Sequence, residues 1–307
     1  MSHWTEGLTN VSQSVRDRLM TTARETGENF QAVLVRYATE RLMYRISRSD
    51  YQDRFVLKGA WLFYLWDIPR RTTRDVDFLG HGENSADEVE KVFREIVQIE
   101  PDIDGGLAFD PETVQAEQTQ EQGPYAGVRV RVPARLGEAR IPTRIDLGFG
   151  DALAETPVST ELPVLMDLPA PNLRAYSAEA AVAEKLEAIV RFGTVNSRFK
   201  DFFDLYVLSR ERTFEADSLR KQIEATFSRR DTDLPTAVPD GLGDEFGQSE
   251  TSQRQWEAFL RSTDAEGAPR EFSATLGAVR EFAYPVLNAA ARGRSLPRGW
   301  TPGEGWT

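Results

Sequence analysis

Apolar residues recur at helical spacing over residues 12–49, where Leu34, Ala38, Leu42 and Ile46 form one stripe and no proline interrupts. That pattern predicts a pair of helices broken near Gly27. Over 55–65 the chain carries Lys58-Gly59-Ala60, a small-residue turn able to bring backbone N–H groups close to a phosphate. The period then drops to two. In Asp75-Val-Asp-Phe-Leu79 the alternation predicts a strand with Asp75 and Asp77 on one face and Val76 and Phe78 on the other. Residues 85–97 return to helical spacing, with Ser85 as N-cap and Glu88 completing a capping box. Residues 127–133 and 143–149 alternate again, as two strands joined by a turn containing Gly137. In the second of these, Ile145 and Leu147 point one way and Asp146 the other, so a third acid stands on a strand.

A Pro-rich stretch over 157–171 predicts a linker that divides residues 1–170 from 171–307. Residues 177–192 read as a helix capped by Ser177, with Val182, Leu186, Ile189 and Val190 on one stripe. Glu184 and Glu187 face away from that stripe and are expected to be solvated. Lys185 sits at its edge, where it either snorkels or reaches toward a fixed anion. On the next helix, over 198–209, Asp201 and Asp204 share a face close to Leu205 and Leu208. Carboxylates beside an apolar face need partners, and Lys185, Arg198 and Lys200 are the candidates. Residues 227–251 are rich in Asp, Gly and Pro and predict a long loop. Helical patterns resume over 252–261 and 272–292, and the tail over 297–307 reads as extended or disordered.

Composition narrows the chemistry. The 307 residues contain no cysteine and only two histidines, His3 and His81, which removes thiolate chemistry and leaves little room for a histidine-based triad or metal site. Any metal would be a hard cation held by Asp and Glu. The N-terminus lacks the pattern of a signal peptide, and the longest apolar run, from Ala60 to Trp66, is too short to span a bilayer. A cytoplasmic protein with no membrane association is expected. A net charge of −12 argues against wrapping duplex nucleic acid, yet it permits a local basic groove. Arginine concentrates at Arg70, Arg71 and Arg74, at Arg129, Arg131, Arg135, Arg140 and Arg144, and near Arg191, Arg198 and Lys200. Solubility and a groove for an RNA end both account for these clusters.

Two carboxylates side by side repel, and a divalent cation relieves the repulsion while taking phosphate oxygens as its remaining ligands. An isolated Asp-x-Asp is more often a solvated strand face, so its context decides. Leu57-Lys-Gly-Ala60, Arg71-Thr-Thr-Arg74, Asp75-Val-Asp77, Ala183-Glu-Lys-Leu-Glu-Ala-Ile189 and Asn196-Ser-Arg-Phe-Lys-Asp-Phe-Phe-Asp-Leu205 together resemble the AbiEii/AbiGii-type nucleotidyltransferase toxins of the DNA polymerase β-like superfamily. The resemblance covers residues 17–208 and is strongest in the last two motifs.

The resemblance implies an α+β fold, in which a small mixed β-sheet nucleotidyltransferase core flanked by helices precedes a helical C-terminal domain, with the active site between them. It implies Asp75 and Asp77 as metal ligands bridging two Mg²⁺ ions, Mn²⁺ being an alternative, with Asp146 as a third ligand able to take the nucleophile's proton. Lys185 would contact the phosphates of an NTP substrate. Asp204 would be the functional member of the second acidic pair, and Asp201 would orient Lys185 or Arg198. Lys58, Gly59, Ala60, Thr73, Arg198 and Asp201 would lie at the nucleotide with Lys185. Ala60 departs from the usual Gly or Ser there, which removes a hydroxyl and keeps the turn. The implied acceptor is RNA, at the 3′ end of tRNA, and the implied partner is a cognate antitoxin, a regulator or a kinase. The toxin is expected to be a monomer. Two other readings stay open: nucleotidylation of a protein or small molecule, and a non-enzymatic interaction protein that keeps the fold.

Overall fold

The computed structural model describes residues 5, 10–69, 71–73, 75–119, 127–263, 265 and 267–307. It divides into two units, one of residues 1–65, 73–150 and 158–175, the other of residues 66–72, 151–157 and 176–307.

In chain order the first unit begins with α1 (Val11–Thr26), α2 (Phe30–Ser47), β1 (Phe55–Lys58), α3 (Trp61–Leu65), β2 (Asp75–Gly80) and α4 (Ala86–Val97). It continues with β3 (Leu107–Phe109), β4 (Gln115–Thr119), β5 (Gly127–Arg131), β6 (Ala134–Leu136), β7 (Ala139–Ile141), β8 (Arg144–Phe149), β9 (Val158–Glu161) and β10 (Asn172–Ala175). The two helices break at Gly27, and each has an asparagine cap: the Asn10 carboxamide accepts from the Gln13 N–H, and Asn29 from Gln31 and Ala32. Ser85 caps α4 by accepting from the Glu88 N–H at 3.4 Å, while the Glu88 carboxylate turns to Arg54 at 3.6 Å. Seven strands form one sheet in the order β4-β5-β8-β2-β1-β10-β9. The β2–β8 and β1–β10 pairs are parallel and the others antiparallel, so the sheet is mixed, as the family resemblance implies.

Strict alternation gives this sheet two unlike faces. Phe55, Leu57, Val76, Phe78, Val128, Val130, Ile145 and Leu147 share the apolar one and are all buried. The Phe55 ring lies 6.0 Å from Phe78 and 5.5 Å from Phe93 of α4, so the helix covers this side. The other face carries the acids and their counter-ions. A separate small sheet, β3-β6-β7, shares a second core with α1 and α2 that includes Val15, Leu19, Tyr37, Leu136 and Ile141.

The second unit contains α5 (Ala178–Phe192), α6 (Phe199–Glu211), β11 (Phe214–Glu215), α7 (Ala216–Arg229), α8 (Asp244–Gln248), α9 (Glu250–Thr263), α10 (Phe272–Arg292), β12 (Gly299–Thr301) and β13 (Gly305–Trp306). Its core is aromatic: Phe199, Phe202, Phe246, Trp256 and Phe272 pack with ring centroids 5.0–6.4 Å apart. Among the described residues no helix is long and apolar enough to cross a membrane.

Several sequence expectations give way. The Pro-rich segment is no linker, because β9 and β10 lie within it or at its end and complete the seven-stranded sheet. The division therefore falls after Ala175 rather than at 170, and residues 66–72 and 151–157 group with the helices. Contacts explain both assignments: Thr72 N–H donates to the Thr263 carbonyl at 2.8 Å, and Gln222 bonds the backbone of Ala152 and Ala154. Residues 227–251 hold the end of α7 and all of α8 rather than one long loop. The tail is ordered, for β12 and β13 form a hairpin whose Trp300 and Trp306 indoles donate to Ser209 and Phe282 carbonyls at 2.8 and 3.0 Å. Glu187 is fully buried instead of solvated, because Arg230, a residue the helical pattern did not flag, donates to it at 2.8 Å. Arg230 also binds Asp151 and Glu184 at 2.8 and 3.2 Å.

Candidate active site

The polar face of the large sheet is built in rows, because cross-strand partners point the same way. Asp77 is the register partner of Asp146 on β8 and of Lys58 on β1, and Asp146 is in turn the partner of Arg129 on β5. One row thus reads Arg129, Asp146, Asp77, Lys58. In the next, Asp75 is the partner of Arg144, which is the partner of Arg131. The three strand acids predicted from alternation do share one face on adjacent strands.

Gly59 makes the turn after β1 with φ +72°, a conformation that favours glycine. A side chain there would collide with the Asp77 carboxylate, so the backbone turn and the acid are packed directly together. Ala60 follows, buried. Lys58 is 8% exposed, and its ammonium lies 3.2 Å from where a side chain at Gly148 would begin. The glycine on β8 leaves the space that lysine fills. The Thr73 hydroxyl donates to the Asp75 carbonyl at 3.1 Å, which ties the approach segment to the first residue of β2. Arg70 and Arg74, part of the predicted basic run, lie outside the described residues.

Two arginines of the 129–144 cluster are partners of these acids. Arg129 forks onto Asp146, its Nε donating to Oδ1 at 2.8 Å and its Nη2 to Oδ2 at 3.1 Å. Arg144 Nη2 donates to Asp75 Oδ2. Both pairs are half open to solvent. The signal was available, since Arg129-Val-Arg131 alternates as Asp75-Val-Asp77 does. Among the described residues no group of three or more His, Cys, Asp or Glu stands gathered as a metal cage. The donor set, carboxylate oxygens on one face, nevertheless fits a hard cation, and Mg²⁺ needs only one or two protein carboxylates.

The helical unit holds a second ionic cluster. Lys185 on α5 donates to Asp204 Oδ2 at 2.6 Å and lies 3.5 Å from Asp201 Oδ1, both on α6. Arg71 Nε binds the other Asp204 oxygen at 3.2 Å, and Arg198 Nε binds Asp201 Oδ2 at 2.6 Å. Lysine is 10% exposed at its side chain and each aspartate 1%. Burial alone would push the Lys185 ammonium down, but Asp204 and then Asp201 outweigh it and hold its pKa above the ordinary lysine value. Burial would likewise raise Asp201, yet Lys185 and Arg198 bring it below the usual carboxylate range. The expected pairing of Lys185 with both acids is present, and Arg71 is an addition that the sequence placed in a motif without a role.

The AbiEii family, described as the nucleotidyl transferase toxin of a type IV toxin–antitoxin system, matches residues 41–278, well over half of the chain. The chain belongs to the AbiEii family. As an AbiEii protein it is a nucleotidyltransferase-type toxin whose system includes an antitoxin. Two solved structures align with it at 14% identity and a TM-score of 0.44. One is a Helicobacter pylori protein provisionally named a nucleotidyltransferase, covering 93% of this chain and 98% of its own. The other is JHP933 from Helicobacter pylori, covering 82% and 90%. No curated protein matches the chain.

Proposed function

We propose that this AbiEii toxin transfers a nucleoside monophosphate from an NTP to an RNA hydroxyl, the acceptor being the 3′ end of tRNA, so that aminoacylation and translation stop. The observation that carries the reading is the row of Asp77 and Asp146 beside Asp75 on the polar sheet face, packed against the glycine turn at Gly59.

In such a reaction the acceptor oxygen bonds to the α-phosphorus, the bond to the bridging oxygen breaks, and pyrophosphate leaves with that electron pair. Asp75, Asp77 and Asp146 would hold Mg²⁺, which when bound polarises the phosphate and offsets charge on the attacking and leaving oxygens. Asp146 accepts the acceptor hydroxyl's proton on a carboxylate oxygen. The turn at Gly59 and Ala60 offers backbone N–H groups to phosphate oxygens, and Thr73 lines the approach to them. Lys58 supplies a point charge on the same face. In the helical unit, Asp204 and Asp201 fix the direction of Lys185 and Arg198.

The experiment incubates purified chain with Mg²⁺, each labelled NTP in turn, and either total RNA or lysate protein. Label in RNA of tRNA size, absent with Asp77→Asn and weakened by salt through phosphate contacts, supports the reading. Label in protein overturns the RNA acceptor, and no label in any fraction overturns nucleotidyl transfer.

A further inference from the structure

Asp146 and Asp75 on the sheet face are each engaged by an arginine. Arg129 satisfies both oxygens of Asp146, and Arg144 takes one oxygen of Asp75. A carboxylate lone pair given to a guanidinium is not available to a cation. Lys58 stands on the same face, beside Asp77. A divalent ion that takes these carboxylates therefore competes with side chains of like charge for their oxygens.

We propose that Arg129 is a positioning residue which holds Asp146 in place of a cation, so that metal enters this face by exchange with the guanidinium. The inference rests on the nucleotidyl transfer reading. The fork-to-fork geometry fixes the carboxylate's direction. The pair remains open, with 33% of the arginine side chain and 23% of the aspartate exposed, so water takes over the released hydrogen bonds at little cost. Release matters for order of binding. A cation arriving alone leaves the guanidinium without an anion, whereas one arriving with a triphosphate brings oxygens for it. Metal and nucleotide consequently bind with positive coupling, and Arg129 carries part of that coupling. Arg131 is the built-in control. It lies two residues along β5 on the same face, but it pairs with Glu117 at 2.6 Å and holds none of the three acids.

The test measures Mn²⁺ binding to the full chain by electron paramagnetic resonance of the free ion, with and without non-hydrolysable analogues of the four NTPs, needing no turnover. Arg129→Gln should bind Mn²⁺ alone about fivefold more tightly than the unaltered chain, the size expected of a half-exposed pair, and should lose part of the nucleotide coupling. Arg129→Lys, which keeps the charge and loses the fork, should fall between, and protects the test should the glutamine variant fold poorly. Arg131→Gln should stay near the unaltered chain. In an Asp146→Asn background, Arg129→Gln should change nothing. Equal affinity in Arg129→Gln and the unaltered chain, with Asp77→Asn still weakening Mn²⁺, overturns the exchange and leaves the transfer reading standing. An equal gain in Arg131→Gln also overturns it, because the effect would then be one of overall charge. Mn²⁺ binding that Asp77→Asn leaves unchanged overturns the metal-dependent reading itself.

Discussion

On the sheet face, Asp146 and Asp75 meet arginines in the open, with 33% and 40% of the arginine side chains exposed. In the helical unit, Asp204 and Asp201 meet Lys185 and their arginines with 1% of either aspartate side chain exposed. The residue types are the same, and the work they can do is opposite. An exposed pair contributes little to stability because water competes for each partner, so it can open and exchange. A buried pair contributes through the penalty of breaking it, since removing one member leaves a desolvated charge. The first arrangement suits residues that must change partners during a reaction, and the second suits residues that must keep one direction.

Lys185→Met breaks the buried cluster and gives the largest expected effect. It leaves Asp204 and Asp201 with one arginine each and should cost about 3–5 kcal/mol in urea unfolding. A loss near zero would show that water reaches the cluster and would erase the contrast with the sheet. Asp77→Asn comes next and acts on the other quantity. Transfer activity should fall about 10²–10³-fold, while the urea midpoint moves little, because Asp77 faces a half-open polar surface. A variant that lost activity and stability together would place Asp77 in the structural class with Lys185.

Buried carboxylates differ among themselves, and pH separates them. Glu40 on α2 is 1% exposed, with the Arg36 Nε at 3.1 Å and the Leu165 N–H at 3.0 Å. Its burial outweighs these and pushes its pKa up to about 7. Asp201, equally buried, has both Lys185 and Arg198 and is driven below its ordinary value. The signs therefore oppose. Glu40 binds more protons folded than unfolded, so its contribution is full below its unfolded value and is lost as pH rises toward 7. Asp201 contributes above its unfolded value and loses that contribution as pH falls through its lower folded one. Glu40→Gln should flatten the fall in stability between about pH 5 and 7, an effect of up to about 3 kcal/mol. Asp201→Asn should instead remove part of the acid-side loss. Unfolding midpoints across pH for the two variants read both slopes, and slopes of the same sign would mean that burial, not the number of cationic partners, decides.

Much of this was legible in the sequence, for physical reasons that differ by element. Asp75 and Asp77 could be placed on one face of their strand, and Asp146 opposite the apolar residues of another, because strand alternation is strict; the β2–β8 pairing puts all three together. The pairing of Lys185 with Asp201 and Asp204 could be reasoned because buried acids need partners. The partners of the strand acids could not be chosen, since register sets them and alternation alone does not say that Arg129 lies opposite Asp146. Glu187 failed because amphipathicity assigns solvent to any charged face, while Arg230 on a distant element covers it. For the tail the extended alternative holds and the disordered one gives way, because its composition hides that two tryptophans pack against α10 and its neighbours.

The smallest expected effect tests the exchangeable side of the contrast most directly. Arg144 is 40% exposed at its side chain and meets Asp75 across the β2–β8 pair. Arg144→Gln should lower stability by no more than about 1 kcal/mol, since water replaces the lost donor and the neighbouring strands keep their backbone ladder. That small value should shrink further in high salt, because the pair is screened where the Lys185 cluster is not. Urea unfolding of the variant at low and high salt reads both statements. A loss approaching that of Lys185→Met, or one indifferent to salt, would mean that the sheet-face pairs are fixed parts of the fold, and a cation could then enter only beside them.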